Sequence, residues 1–377
     1  MTGKILQFGT SRFLQAHAAL FVHEAREAGE NAGPITVIQA SGSADRSGRV
    51  AAFGNPDGYP IVIRGVEGSD VIDRTVMVRS VTGGLSASAD WPEISRLFAE
   101  ETEFIVSNTG DTGYQLSADD TAISEGIAPK SFPAKLAALL CLRWKSSGKA
   151  LVVLPCELVT GNGQALKKAV VESARRYDLP EDFFAWLDRD VAFADTLVDR
   201  IVSEAIEPVG AVAEPYAIWV IKNAPGVRAP CTHASIVLAD DLEPYERLKL
   251  HILNLGHTWL AETWASEGRD RNETVREILA DAAIRGRLDA IYRDEVIPGF
   301  AVKGMENEAR AYVATTLDRF LNPFLNHRIA DIAQHHAQKV ERRIAAFLDW
   351  VGSSGKPHDA PVLKALAARY SESGYQA

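Results

Sequence analysis

Short apolar runs alternate with amphipathic stretches along the first part of this chain, and few architectures accept that order. Residues 4–8, 34–40, 59–66, 71–81, 103–107 and 150–154 are rich in Ile, Val and Phe, and most are bounded by Gly, Asn, Asp or Ser, as buried strands are. Between some of them, residues 13–28, 91–100 and 132–145 carry helical periodicity, the second behind an Asp90 cap with Pro92 in its first turn. The alternation predicts a mostly parallel, doubly wound sheet. After residues 217–221 and the stretch Asn223-Ala224-Pro225-Gly226, only 235–238 reads as a strand. Residues 243–265, 273–285, 306–321, 328–350 and 359–373 all read as helix. An α/β domain over 1–227 and an all-α domain over 228–377 are therefore expected. Length agrees, since single cores stop growing at roughly 250–300 residues.

Composition removes several function classes. With 40 Lys+Arg against 50 Asp+Glu the formal charge is −10 and no basic block occurs, which disfavours nucleic acid as a partner. Cys141, Cys156 and Cys231 form no CxxC pair, so neither a disulfide framework nor a zinc site is expected. No apolar run approaches the roughly 18 residues of a membrane span, and Met1-Thr2-Gly3-Lys4 leads straight into an apolar run without signal-peptide anatomy. The expectation is a cytoplasmic protein whose partners are small molecules, with no bound metal.

Ile5-Leu6-Gln7-Phe8 followed by Gly9-Thr10-Ser11-Arg12-Phe13 is strand, tight turn and helix start. In a Rossmann-type domain this turn holds a dinucleotide pyrophosphate on backbone N–H groups. Of the GxGxxG register only Gly9 survives, with Ser11 and Leu14 at the other two positions, so a generic strand-to-helix turn is the competing reading. The second strand ends in Gln39-Ala40-Ser41, with no acid there to hold a ribose diol. Asp45, which favours NAD, and Arg46, which tolerates NADP, follow shortly.

The segment from Lys249 to Thr258 bears on chemistry. On an α-helix Lys249, Asn254 and His257 fall within an arc of about 140°, leaving His251 and Leu255 outside. Oxidation of a secondary alcohol needs a base for the hydroxyl proton and donors for the developing alkoxide, and an amine, an amide and an imidazole supply these without a metal. A solvated polar face would show the same spacing.

Lys-x-x-x-x-Asn-x-x-His in a Leu-rich helix resembles the catalytic helix of the mannitol dehydrogenase family, polyol-specific long-chain dehydrogenases with hexuronate-reducing relatives. Seven further segments resemble that family in its order. They are Gln7-Phe8-Gly9-Thr10-Ser11-Arg12-Phe13 with its continuation to His17; Ile105-Val106-Ser107-Asn108-Thr109; Ser131-Phe132-Pro133-Ala134-Lys135-Leu136; and Leu154-Pro155-Cys156-Glu157-Leu158 with Gly161-Asn162-Gly163. Leu197-Val198-Asp199-Arg200-Ile201, Glu214-Pro215-Tyr216 with Trp219-Val220-Ile221, and Arg319-Phe320-Leu321-Asn322-Pro323 complete the set.

The resemblance implies a Rossmann-type domain followed by a 6-phosphogluconate dehydrogenase-like helical domain, and NAD as cofactor with NADP not excluded. It implies that Phe8, Gly9, Thr10, Ser11, Arg12, Phe13, Gln39, Ser107, Asn108 and Thr109 bind the cofactor. Lys249 would be the general acid/base, Asn254 and Asn162 the amides around the reacting oxygen, and His257 a substrate hydrogen-bonder. Asp199 and Arg319 would line the substrate pocket, although a surface pair with Arg200 and a structural ion pair are the simpler readings of those two. His17 would be structural or near the cofactor, and His335-His336 surface neighbours.

Ser11 and Leu14 depart from the fingerprint, Gly110-Asp111-Thr112-Gly113 replaces the uronate branch's Thr-Glu-Ala-Gly, and Glu157-Leu158 replaces the polyol branch's Asp-Asn. The implied activity is interconversion of a secondary alcohol of an open-chain sugar acid and its keto form, as in tagaturonate and fructuronate reductases. A hexitol or pentitol 2-dehydrogenase and a non-catalytic NAD(H) sensor are the alternatives.

Overall fold

A computed structural model describes residues 4–41, 47–68, 70–110, 113–124 and 126–372; Asp45, Arg46, Asp111 and Thr112 lie outside the described residues. The chain divides into two compact units, one comprising Met1–Ile63 with Arg74–Leu242, the other Arg64–Asp73 with Glu243–Ala377. The boundary expected after 227 moves to 242 because Ile236–Ala239 pairs in parallel with Ile218–Lys222, in the first unit.

The first unit is built on six parallel strands, in spatial order Val81–Ser86, Ile35–Gln39, Lys4–Phe8, Thr102–Ser107, Leu151–Pro155 and Val191–Phe193. Numbered along the chain, these six run 3-2-1-4-5-6, the doubly wound order whose switch point lies between the first and fourth strands. The continuous apolar runs are explained by burial on both faces. Leu6, Phe8, Ile105 and Val153 pack against Phe98, Leu136, Leu140 and Phe183 from the covering helices, which include Trp91–Glu100 and Phe132–Ser146.

Two expectations are corrected here. The run 71–81 is not one strand: Asp70–Val78 belongs to a four-stranded sheet and Val81–Ser86 to the parallel one. The break falls at Ser80, which is fully buried and donates its hydroxyl to Ala19 O at 2.6 Å. The helix over 13–28 is interrupted at His17, whose backbone leaves the helical region (φ −128°, ψ −97°), giving Arg12–Gln15 and Ala18–Glu27. Helices Asn162–Arg176 and Glu181–Asp190 add to those expected, as does a three-stranded sheet of Ile236–Ala239, Ile218–Lys222 and Thr196–Asp199.

The second unit is helical around one apolar cluster that includes Ile252, Leu255, Leu260, Val296, Phe300, Ile344 and Phe347. The helix expected over 273–285 divides into Val275–Ile278, closed by a Thr274/Glu277 capping box, and Ala282–Ile291, capped by the Asp281 carboxylate. Among the described residues three long helices contain π turns, at Lys249–Leu253, Tyr292–Val296 and Glu341–Ala345. Among the described residues no helix is long and apolar enough to cross a membrane.

Candidate active site

At the carboxyl ends of the parallel strands the first unit opens into a cleft of about 490 Å³, within the range of ligand pockets. It is lined by Gly9, Thr10, Ser11 and Arg12, by Gln39 and Ser41, by Asn108 and Thr109, and on another side by residues 205–210. Gly9 sits at φ +115°, and a Cβ there would lie 2.4 Å from Asn108 O, so a side chain is excluded on two counts. This bare backbone beside Arg12 fits a pyrophosphate cradle. Ser11 caps the short helix by accepting from Leu14 N–H, which gives the residue in the second glycine's place a structural task. Gln15 joins two walls, accepting from Gly210 N–H at 2.7 Å and donating to Thr10 O. At the far end Arg49 pairs with Glu207 at 3.2 Å.

Three of the residues expected to bind cofactor are not among those lining the cleft. Phe8 is core, packed on Phe132; Phe13 stacks on His17; and Ser107 is buried with its hydroxyl on Glu157. Glu157, to which the sequence reading gave no role, accepts from Ser107 Oγ, Thr109 N–H, Thr109 Oγ1 and Tyr114 Oη at 2.9–3.0 Å. Asn108 donates to Cys156 O beside it. His17 is structural: its Nε2 meets Ile218 O at 3.1 Å, its ring lies among Phe13, Phe21 and Trp219, and burial pushes its pKa down to about 3.

Asn162, expected at the reacting oxygen, is 1% exposed and fully engaged with backbone. Its Oδ1 accepts from Thr196 N–H at 2.8 Å, and its Nδ2 faces the carbonyls of Pro155, Glu157 and Thr196. The amide clasps the ends of two strands. Asp199 is buried in the strand Thr196–Asp199, opposite Ile218. The surface-pair reading fails for its neighbour as well, since Arg200 is buried and donates to Ala16 O and Glu214 O.

In the second unit the Lys-Asn-His segment does not follow α-helical spacing. Lys249–Leu253 is a π turn, and Asn254 N–H donates to Lys249 O, five residues back. In an α-helix those two positions would stand about 140° apart; the wider turn brings them one above the other. Single π turns of this kind are common at functional sites. Tyr292 donates its phenol to Ile252 O at 3.0 Å and lies where a Cβ on Gly256 would stand, 1.9 Å away. Thr258 and Arg343 both donate to Asn254 O. His257 is buried, its ring 4.5 Å from Phe320 and 5.0 Å from His327. Arg319 is also buried and reaches Tyr312 Oη at 3.4 Å.

His336 is no surface residue: it shares Glu262 with Tyr370 and Arg369. Among the described residues no group of three or more His, Cys, Asp or Glu could hold a metal ion.

A Rossmann-type unit with a glycine cradle, followed by a helical unit bearing Lys249, Asn254 and His257, defines a two-domain nucleotide-dependent oxidoreductase. The chain belongs to the mannitol dehydrogenase family, whose Rossmann domain matches residues 3–230 and whose C-terminal domain matches residues 241–374. It is 31% identical to the altronate oxidoreductase of Halalkalibacterium halodurans, across 94% of this chain and 72% of that protein. It is likewise 31% identical to that of Klebsiella pneumoniae, across 90% and 74%. The fold resembles D-sorbitol dehydrogenase in substrate-free form (TM-score 0.78, 20% identity, 94% of this chain and 77% of that one). It also resembles Pseudomonas fluorescens mannitol 2-dehydrogenase, solved with NAD and D-mannitol (TM-score 0.70, 19% identity, 98% and 79%).

Proposed function

We propose that this chain is an NAD-dependent oxidoreductase of the altronate oxidoreductase type, interconverting a secondary alcohol of an open-chain sugar acid and its keto form. The observation that carries the reading is the π turn, whose hydrogen bond sets the backbone of Asn254 above that of Lys249, with His257 further along the same helix. The altronate oxidoreductases of similar sequence point to a carboxylated substrate.

NAD, when bound, supplies or accepts the hydride at the substrate carbon. Gly9 and Arg12 hold its pyrophosphate. Lys249 Nζ gives a proton to the keto oxygen during reduction and takes it from the hydroxyl during oxidation. Asn254 and His257 donate hydrogen bonds to that oxygen while it carries charge. Arg319 meets the substrate carboxylate, for which a guanidinium fork is suited.

The test follows NADH absorbance with tagaturonate, fructuronate and fructose as oxidants. Turnover of a uronate above that of fructose is expected. Turnover of fructose alone would make the chain a hexitol 2-dehydrogenase, and binding of NADH without any turnover would make it a sensor.

A further inference from the structure

We propose that Glu157 sets the preference of this site between the two redox states of the nicotinamide, so that NAD+ is bound more tightly than NADH; the inference rests on the reading of the cleft as an NAD site. Glu157 lies two residues beyond the strand Leu151–Pro155 and is 3% exposed. Its Oε1 accepts from Thr109 N–H and Thr109 Oγ1, both at 3.0 Å. Its Oε2 accepts from Ser107 Oγ at 3.0 Å and Tyr114 Oη at 2.9 Å. Four donors fill the roughly four lone-pair sites of an ionised carboxylate, whereas a protonated acid would set its own O–H against one of them. The burial of Tyr114, with Glu157's charge beside it, pushes the phenol's pKa up, so the phenol stays a donor.

None of the four donors is a cation. Buried charges are ordinarily matched by an opposite one. Glu262 of the second unit, for example, is met by both Arg369 and His336. Glu157 thus holds a full negative charge that neutral donors fix in place without cancelling. It is also next to the cleft: Thr109 lines it, and Asn108, which lines it too, is anchored on the carbonyl of Cys156.

NAD+ and NADH differ in charge only at the nicotinamide ring, cationic in one and neutral in the other. With the adenosine ribose at the end of the second strand, by Gln39, and the pyrophosphate at Gly9, the nicotinamide would fall on the other side of Gly9, by Asn108 and Thr109, where an unmatched carboxylate favours the cationic ring and leaves the shared adenosine and pyrophosphate contacts unchanged. On the protein, the balance between keto acid with NADH and a proton, and hydroxy acid with NAD+, is drawn toward the second pair. Glu157 touches no reacting atom, so its role is electrostatic and positional.

Calorimetric titration of the full chain with NAD+ and with NADH tests this. Wild type should bind NAD+ more tightly. Glu157→Gln should weaken NAD+ by about tenfold, the scale of one charge pair about 12 Å apart at an effective dielectric of about 20, and NADH by less than about twofold. Glu157→Asp, which keeps the charge, should keep the preference. Equal weakening of both forms in Glu157→Gln would make Glu157 a merely structural clasp and overturn the proposal. A wild type that binds neither form would remove the cofactor reading and this inference with it, an outcome distinct from an unchanged ratio. If Glu157→Gln does not fold, wild type is titrated with the dinucleotide whose nicotinamide is replaced by neutral benzamide. Affinity about tenfold below that of NAD+ supports the proposal, and equal affinity overturns it.

Discussion

Lys249 and Arg319 are asked to do different things, and single substitutions separate them. Lys249→Ala should keep its melting temperature and its affinity for NADH while turnover falls about 10²–10⁴-fold, the range for one positioned acid/base group; near wild-type turnover would remove Lys249 from the mechanism. Arg319 is buried against Tyr312, and a lysine there keeps the charge but loses the two-pronged geometry. Arg319→Lys should cost about 1.5–3 kcal/mol in kcat/KM for a uronate and less for a neutral ketose. Equal losses on both would leave Arg319 a wall of the pocket with no part in choosing the acid. Family spacing singles out these two residues in the sequence as candidates. The clasps made by Glu157 and Asn162 were not legible there, because each depends on partners from strands far apart in sequence, such as Ser107 with Glu157 and Thr196 with Asn162.

At the level of elements, the parallel strands could be read directly, since burial on both faces leaves unbroken runs of Ile, Val and Leu. Breaks inside helices could not. His17 interrupts a stretch with sound helical periodicity because its ring is required between Phe13 and Trp219 and on Ile218 O. The π turn at Lys249–Leu253 is also set from outside, by the Tyr292 phenol on Ile252 O and the space left by Gly256. Removing the phenol in Tyr292→Phe should cost about 1 kcal/mol of stability. It should also lower kcat with little change in NADH affinity, because the turn that aligns Lys249 with Asn254 loses a fixed point. Gly256→Ala forces a methyl into Tyr292 and should cost about 1–3 kcal/mol, with a larger loss of turnover. If both variants turn over at the wild-type rate, the turn is not what positions the amine.

For the whole molecule, order of elements and two-part division followed from the sequence, and the boundary shifted only because a last strand, Ile236–Ala239, returns to the first unit. Each unit also buries a histidine in neutral form, a property no composition count reveals. His17 in the first unit is held down to about 3 by burial, and His251 in the second to about 4, also by burial, with its Nδ1 at Arg343 O. Both values lie below the usual 6.5, so the unfolded chain takes up protons that the folded chain refuses. Stability from this source is therefore complete above about pH 6.5 and is lost as pH falls toward 4 and then 3. At pH 5 each ring should cost about 2 kcal/mol relative to pH 7.5. The carboxylates held low by their partners, among them Glu24 and Glu262, titrate below that interval and add little to it. Urea unfolding at pH 7.5 and pH 5.0 should show a marked loss of stability in wild type. His17→Gln and His251→Gln, each less stable than wild type at pH 7.5, should each lose less between the two pH values, and the double variant least. A wild type equally stable at both pH values would mean that these rings accept protons inside the folded chain, and that the packing around His17 and His251 opens to water.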